Sequence, residues 1–167
     1  GIPSIIYGLF GMLFFVTALK WGYSMMAGAA TLAIMVLPVI MRTTEEALLC
    51  VPDSFREGSF GLGAGKLRTI FKIVLPSAIP GILSGIILAI GRIVGETAAL
   101  IYTSGTVANL AGFFDSGRTL AIHMYSLSRE GMHTNEGYAT AVVLLIVVLI
   151  IHGVSSLIEK KFEAPKQ

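Results

Sequence analysis

Between Tyr138 and Ile158 the chain carries no Asp, Glu, Lys or Arg and consists mostly of Val, Leu, Ile and Ala. About 20 such residues are what an α-helix needs to cross a hydrocarbon core. In lipid every backbone N–H and C=O must be satisfied internally, so a segment of this kind is a spanning helix. Three more stretches approach the same length: Ser4 to Leu19, Tyr23 to Met41 and Ile79 to Tyr102. The first is the weakest, because Gly8 and Gly11 interrupt it and it ends early at Lys20 and Trp21, but it counts as a span. Composition agrees: charged residues make only 13% of the 167, against ~25% in soluble domains. The expected fold is an all-α polytopic membrane bundle of about four transmembrane helices.

Lys and Arg accumulate in short cytoplasmic loops, so their distribution orients the spans. The segment from Arg42 to Lys72 holds Arg42, Arg56, Lys66, Arg68 and Lys72, and the tail adds Lys160, Lys161 and Lys166. The opposite side holds only Lys20, Arg118 and Arg129. Both chain ends and the long basic loop are therefore expected inside, with Gly105 to Glu136 outside, as four crossings allow. Net charge is only +2 and no basic stripe with interleaved aromatics occurs, so nucleic-acid binding is not expected. The lone Cys50 has no disulfide partner and is expected as a buried filler. The first apolar stretch lacks the basic n-region of a signal peptide. With Gly1 at its start, the chain is expected to be the interior of a longer protein.

Residues 57 to 76, EGSFGLGAGKLRTIFKIVLP, form the most informative polar segment. Thr43 before Glu46 and Ser54 before Glu57 read as two capping boxes, with Pro52 separating two helices. Gly61 and Gly63 break the second helix. Leu67, Ile70, Phe71 and Val74 then recur at the spacing of an amphipathic helix, which Leu75 and Pro76 are expected to end. Two decoys fall away. GLGAGKL at 61 to 67 is no P-loop, since position 60 is Phe where glycine is required and Leu67 replaces the Mg-binding hydroxyl. Glu45, Glu46 and Ala47 are followed by Pro52 where a motif glycine would stand.

The skeleton Glu57, Gly58, Ser59, three residues, Gly63, nine residues, Ile73, Val74, Leu75, Pro76 resembles the E-A-A-x3-G-x9-I-x-L-P signature of the membrane subunits of bacterial ABC importers. The two alanines are here Gly58 and Ser59, both small enough for close approach to a partner although helix propensity falls. The resemblance implies a coupling loop over 42–76, with Glu57, Gly58, Ser59, Gly63, Ala64, Ile73, Leu75 and Pro76 passing motion from a cytoplasmic ATPase. As pattern alone, the segment also suits an amphipathic helix lying on the membrane.

The third span carries Arg92 and Glu96 four residues apart, and ionisable groups within a span usually face a bundle interior or an aqueous path. Projected at about 100° per residue, Ser77, Gly81, Ser84, Gly85, Ala89, Gly91 and Gly95 share their side. Ile82, Leu83, Ile86, Ile87, Ile90, Ile93 and Val94 share the other. Gly81 and Gly85 form a small-xxx-small pair that permits close helix packing. Arg92, Glu96 and Thr97 are the candidate path residues: Arg92 offers an oxyanion its planar fork of donors, and Glu96 holds and moderates that fork. A static ion pair is the competing account.

The segments GIPSIIYGLFG, LPVIMRTTEEALLCVPDSFREGSFGLGA and GRIVGETAAL are similar to phosphate ABC importer permeases, of the PstA rather than the PstC type. That resemblance implies a MetI-like permease core over residues 1–167, missing its N-terminal part and supplying the last four of five core helices. It also implies a multi-pass place in the bacterial inner membrane with a cytoplasmic C-terminus. The implied partners are a PstC-type permease, a dimer of PstB-type ATP-binding subunits, a periplasmic phosphate-binding protein, phosphate and membrane lipid. No cofactor is expected in this chain, ATP and Mg being bound by the ATPase, and the chain is not expected to be an enzyme. Another oxyanion such as sulfate or molybdate is the alternative substrate. A membrane-embedded enzyme with Glu96 as acid and Arg92 as anchor lacks a nucleophile, a metal set or a cofactor motif. The outer loop holds Asp115, Arg118, His123, Arg129, Glu130, His133 and Glu136, but no metal-ligand spacing, so docking of a binding protein or plain solvation is expected there. His152 is expected to be a packing residue.

Overall fold

The computed structural model describes residues 2–131 and 133–162, without the side chains of Glu130 and Phe162. Gly1 and the tail cation Lys166 lie outside them. Among the described residues all regular structure is helical. The chain divides into two compact units, one from Gly1–Leu37 and Gly91–Ile151, the other from Pro38–Ile90 and His152–Gln167.

In the first unit, α1 (Ser4–Gly11) continues as a π-helix over Met12–Ala18. The wider turn is held by the Thr17 hydroxyl donating to the Met12 carbonyl at 3.0 Å and the Leu19 N–H donating to Phe14 at 2.9 Å. Eight α-helical and seven π-helical residues rise only about 20 Å, short of the ~30 Å core. Among the described residues three helices rather than four therefore have spanning length: α2 (Met25–Leu49), the helix Lys66–Val94, and α8 (Thr134–Phe162). The first helix ends where the sequence suggests, with Lys20 at φ 56°.

Small residues set how closely these elements approach. Gly8 lies against the backbone of α6 (Ala98–Ile101), where a Cβ would stand 2.9 Å from the Ala99 Cα. Gly11 abuts Thr31 and Thr103, and Gly28 abuts Leu100 and Ser104. Burying hydroxyls here is tolerable because each bonds to the carbonyl four residues back: Thr31 to Ala27 at 2.8 Å, Thr103 to Ala99 at 2.9 Å and Ser104 to Leu100 at 3.0 Å. Phe15 stacks on Trp21, which meets Phe114 edge-on. The helix α7 (Leu120–Glu130) starts on Thr119, whose hydroxyl accepts from the Ile122 N–H.

The second unit holds α3 (Asp53–Gly61), α4 (Lys66–Thr69), a π-turn over Ile70–Val74 and most of α5 (Leu75–Val94). Its core is Val51, Val74 and Ala78, with Ala47, Leu48 and Ile82 against them. As the small-xxx-small pattern predicts, a Cβ on Gly81 would stand 2.8 Å from that of Ala47, and Gly85 abuts Thr43. Arg56 joins α3 to the end of α2, donating to the carbonyls of Leu48 and Val51, both at 2.9 Å. The Leu48 carbonyl is one of those a helix end leaves without partners.

Several local expectations are overturned. Thr43 caps nothing, because α2 runs on to Leu49 and the Thr43 hydroxyl donates back to Val39 and Ile40. The exposed Arg42–Glu46 pair at 3.1 Å lies along the same continuing helix. Pro52, not Ser54, is the N-cap of α3, and Ser54 makes no capping bond. Leu75 and Pro76 do not stop the helix: the π-turn shifts the ladder so that the Leu75 N–H reaches Ile70, and the wider turn accommodates the proline. Cys50 is exposed rather than buried, since it follows the last turn of α2. His152 is also exposed, on a helix whose most apolar window is only 6% buried. Lipid or another subunit must cover α8.

Candidate coupling loop and anion path

The coupling motif folds as helix, glycine turn, helix. α3 ends in a Schellman arrangement: the Ala64 N–H donates to the Ser59 carbonyl at 3.1 Å and the Gly63 N–H to Phe60 at 2.9 Å. This closure puts Gly63 at φ +77°, where a side chain is strained although space around it is open. The motif glycine is thus the residue that reverses the chain.

The two small residues before it face opposite ways. Gly58 is exposed with nothing near the position of a Cβ, so a partner surface can come close there. Ser59 is buried, and its hydroxyl meets that of Thr69 at 2.8 Å, fastening α3 to α4 across the turn. Thr69 was not among the predicted residues. The predicted apolar face holds only at Val74, for a related reason: Leu67, Ile70 and Phe71 are exposed, while Thr69 joins Val74, one π-turn on, in pointing inward. Glu57 is exposed and makes no ion pair among the described residues. An open groove of about 480 Å³ is lined by Gly58, Leu62, Ala64 and Ile73 together with Arg68 and Lys72. Leu75 is half-buried and Pro76 exposed where α5 begins.

The path residues are arranged differently from the expectation. α5 stops at Val94, Gly95 turns the chain, and α6 begins at Ala98. Arg92 and Glu96 consequently do not share one helical face, and no ion pair joins them among the described residues. Arg92 is exposed in the last turn of α5. Glu96, only 9% exposed, turns the other way and accepts the Ala99 N–H at 3.2 Å, capping α6. Thr97 donates to the Gly95 carbonyl at 3.4 Å and bounds the same break. Gly95 was the available signal, since glycine after a basic last turn marks helix ends.

Over residues 1–163 the sequence matches the family of binding-protein-dependent transport system inner membrane components. The chain belongs to that family. It is 36% identical to a probable ABC transporter permease protein, YqgI, of Bacillus subtilis (strain 168), over 98% of this chain and 63% of the relative. It is 38% identical to the phosphate transport system permease protein PstA 1 of Mycobacterium tuberculosis (strain ATCC 25618 / H37Rv), over 95% of this chain and 53% of the relative. The phosphate transport system permease protein PstA of Yersinia pestis is 37% identical over 95% of this chain and 55% of its own length. The chain thus spans between half and two thirds of these curated relatives. Its fold matches a chain in an inward-facing structure of the MetNI methionine ABC transporter, with a TM-score of 0.78 and 23% identity over 98% of this chain and 70% of that one. The all-helical fold is therefore shared with that chain, and the family is one of multi-pass inner-membrane components.

Proposed function

We propose that this chain is the core of an inner-membrane permease subunit of an ATP-driven phosphate importer. It forms half of the translocation pathway and receives ATPase motion through residues 42–76. The observation that carries the reading is the Gly63 turn, which joins α3 to a helix running without interruption from Lys66 into an apolar segment. A push on α3 or its groove enters that helix through the Ser59–Thr69 contact and the turn, with no flexible linker between.

Phosphate as substrate is supported by the PstA relatives. Arg92 supplies suitable chemistry: a planar fork of donors, exposed and without a carboxylate partner among the described residues. It lies where α5 and α6 interrupt each other, the kind of break that forms substrate sites in transporters. Glu96 and Thr97 act by holding the break. The negative end of the α5 dipole moderates the guanidinium in place of Glu96.

The working assembly comprises this subunit, a PstC-type permease, two PstB-type subunits that bind ATP and Mg, and a periplasmic phosphate-binding protein. The chain is not itself an enzyme. The coupling loop and C-terminus face the cytoplasm, and residues 105–136 face outward. Uptake of radiolabelled phosphate by vesicles holding the full set of subunits, competed with sulfate and arsenate, tests the assignment. Saturable, ATP-dependent phosphate uptake that arsenate competes and sulfate does not is expected. Uptake of sulfate in preference to phosphate would overturn the substrate.

A further inference from the structure

Residues 108–110 and the start of α7 form an open cavity of about 400 Å³, lined by Asn109, Arg118, Thr119 and His123 with Ala108, Leu110 and Leu120. Its polar side chains are all able to donate, and no carboxylate lines it. Among the described side chains, other polar groups of this region are occupied. Arg129 lies over the Tyr125 ring at 5.8 Å, and His133 pairs with Glu136 at 3.2 Å. The Asp115 side chain accepts the Gly112 N–H at 3.0 Å within its own turn. Arg118 and His123 are half-buried, and neither side chain has an ion-pair or hydrogen-bond partner among the described residues.

From this arrangement we infer that the cavity is a binding subsite for a dissolved tetrahedral oxyanion of the phosphate type. The Arg118 fork engages two of its oxygens, and His123 and Asn109 donate to the others. The proposal rests on the phosphate-permease reading for the sidedness of the loop and adds a holding place separate from Arg92. An open, solvent-facing cavity binds weakly and with salt dependence, which suits a site that must pass its ligand on.

The test uses the complete purified transporter in phosphate-free buffer. Modification of Arg118 by phenylglyoxal is followed by peptide mass spectrometry while inorganic phosphate is titrated. Phosphate is expected to slow modification of Arg118 where chloride at equal ionic strength does not. In His123→Leu the half-protecting concentration should rise by about threefold or more, the loss of one modest hydrogen bond. Equal rates in phosphate and chloride overturn the proposal. So does protection that appears with anionic phospholipid nanodiscs alone and is unchanged by added phosphate, since the occupant is then a headgroup. If the complex imports phosphate while Arg118 is unprotected, the subsite fails and the permease reading stands. If Arg118 is protected but only another anion is imported, the subsite stands and the substrate assignment fails.

Discussion

Gly63 offers the sharpest test of how the coupling loop works. Its φ of +77° is one that L-residues rarely adopt, and no atom lies within 4 Å of a Cβ built there. Within this chain, the cost of a side chain is therefore conformational rather than steric. Alanine in the left-handed region costs about 1–2 kcal/mol, a factor of about 5–30 in the population that holds the turn. A β-branched valine costs more. Proline also removes the N–H that Gly63 donates to Phe60 at 2.9 Å, worth about 1 kcal/mol net, and its ring excludes a positive φ. Asparagine tolerates the left-handed region. ATP hydrolysis stimulated by loaded binding protein, measured on reconstituted complexes with equal membrane insertion, should fall in the order Gly, Asn, Ala, Val, Pro, with Val and Pro abolishing stimulation. Normal transport by Gly63→Val would refute the reasoning. So would Gly63→Ala and Gly63→Asn failing as completely as Gly63→Pro, because side-chain size against a partner would then be the cause.

Three further outcomes are expected. In a Cys50→Ser background, a cysteine at Leu110, 104% exposed, should react with an impermeant thiol reagent in intact cells, while one at Leu62, 92% exposed, should react only after permeabilisation; the reverse pattern refutes the orientation. Gly81→Ala should lower the melting temperature of the purified complex, since overpacking costs about 1–3 kcal/mol, and Ala47→Gly should relieve it in the double variant because the two Cβ positions stand 2.8 Å apart; simple additivity would show that this approach does not limit packing. Arg92→Gln should impair phosphate transport with little loss of stability, whereas Glu96→Ala should cost about 1 kcal/mol through the lost cap and Glu96→Gln less, since its amide oxygen can still accept from Ala99. A double-mutant cycle on stability should give near-zero coupling between Arg92 and Glu96, and a coupling above about 1 kcal/mol would mean the two do pair.

The apolar segments were legible, but their ends were not, for physical reasons that differ from helix to helix. Hydropathy marks Tyr23 to Met41, yet α2 continues to Leu49 because Thr43 bonds back into the helix instead of capping a new one. Hydropathy also marks Ile79 to Tyr102, whereas the helix runs from Lys66 to Val94. There the π-turn carries the chain past Pro76 and Gly95 ends it early. In the coupling loop, the positions of Gly63 and Pro52 could be read from spacing, because backbone geometry alone dictates those residues. The Ser59–Thr69 bond could not, since it joins residues ten apart across a turn and depends on the inward face set by the π-turn. A helical projection at fixed pitch places Leu67 and Phe71 inward. One extra residue per turn keeps Val74 inward but pairs it with Thr69 instead.

The same break at Gly95 changes what the two ionisable residues mean. On a continuous helix, Arg92 and Glu96 could neutralise each other, and a static pair would account for both. With α5 ended at Val94, Glu96 is committed to the Ala99 N–H rather than to a cation. Arg92 is then left with a full charge on an apolar segment and no internal partner among the described residues. A guanidinium in that position is stable only if water, a second subunit or an anion meets it. Removing the carboxylate from the account therefore strengthens the case for Arg92 as a path residue. It also predicts that Glu96 governs the shape of the break more than the charge within it.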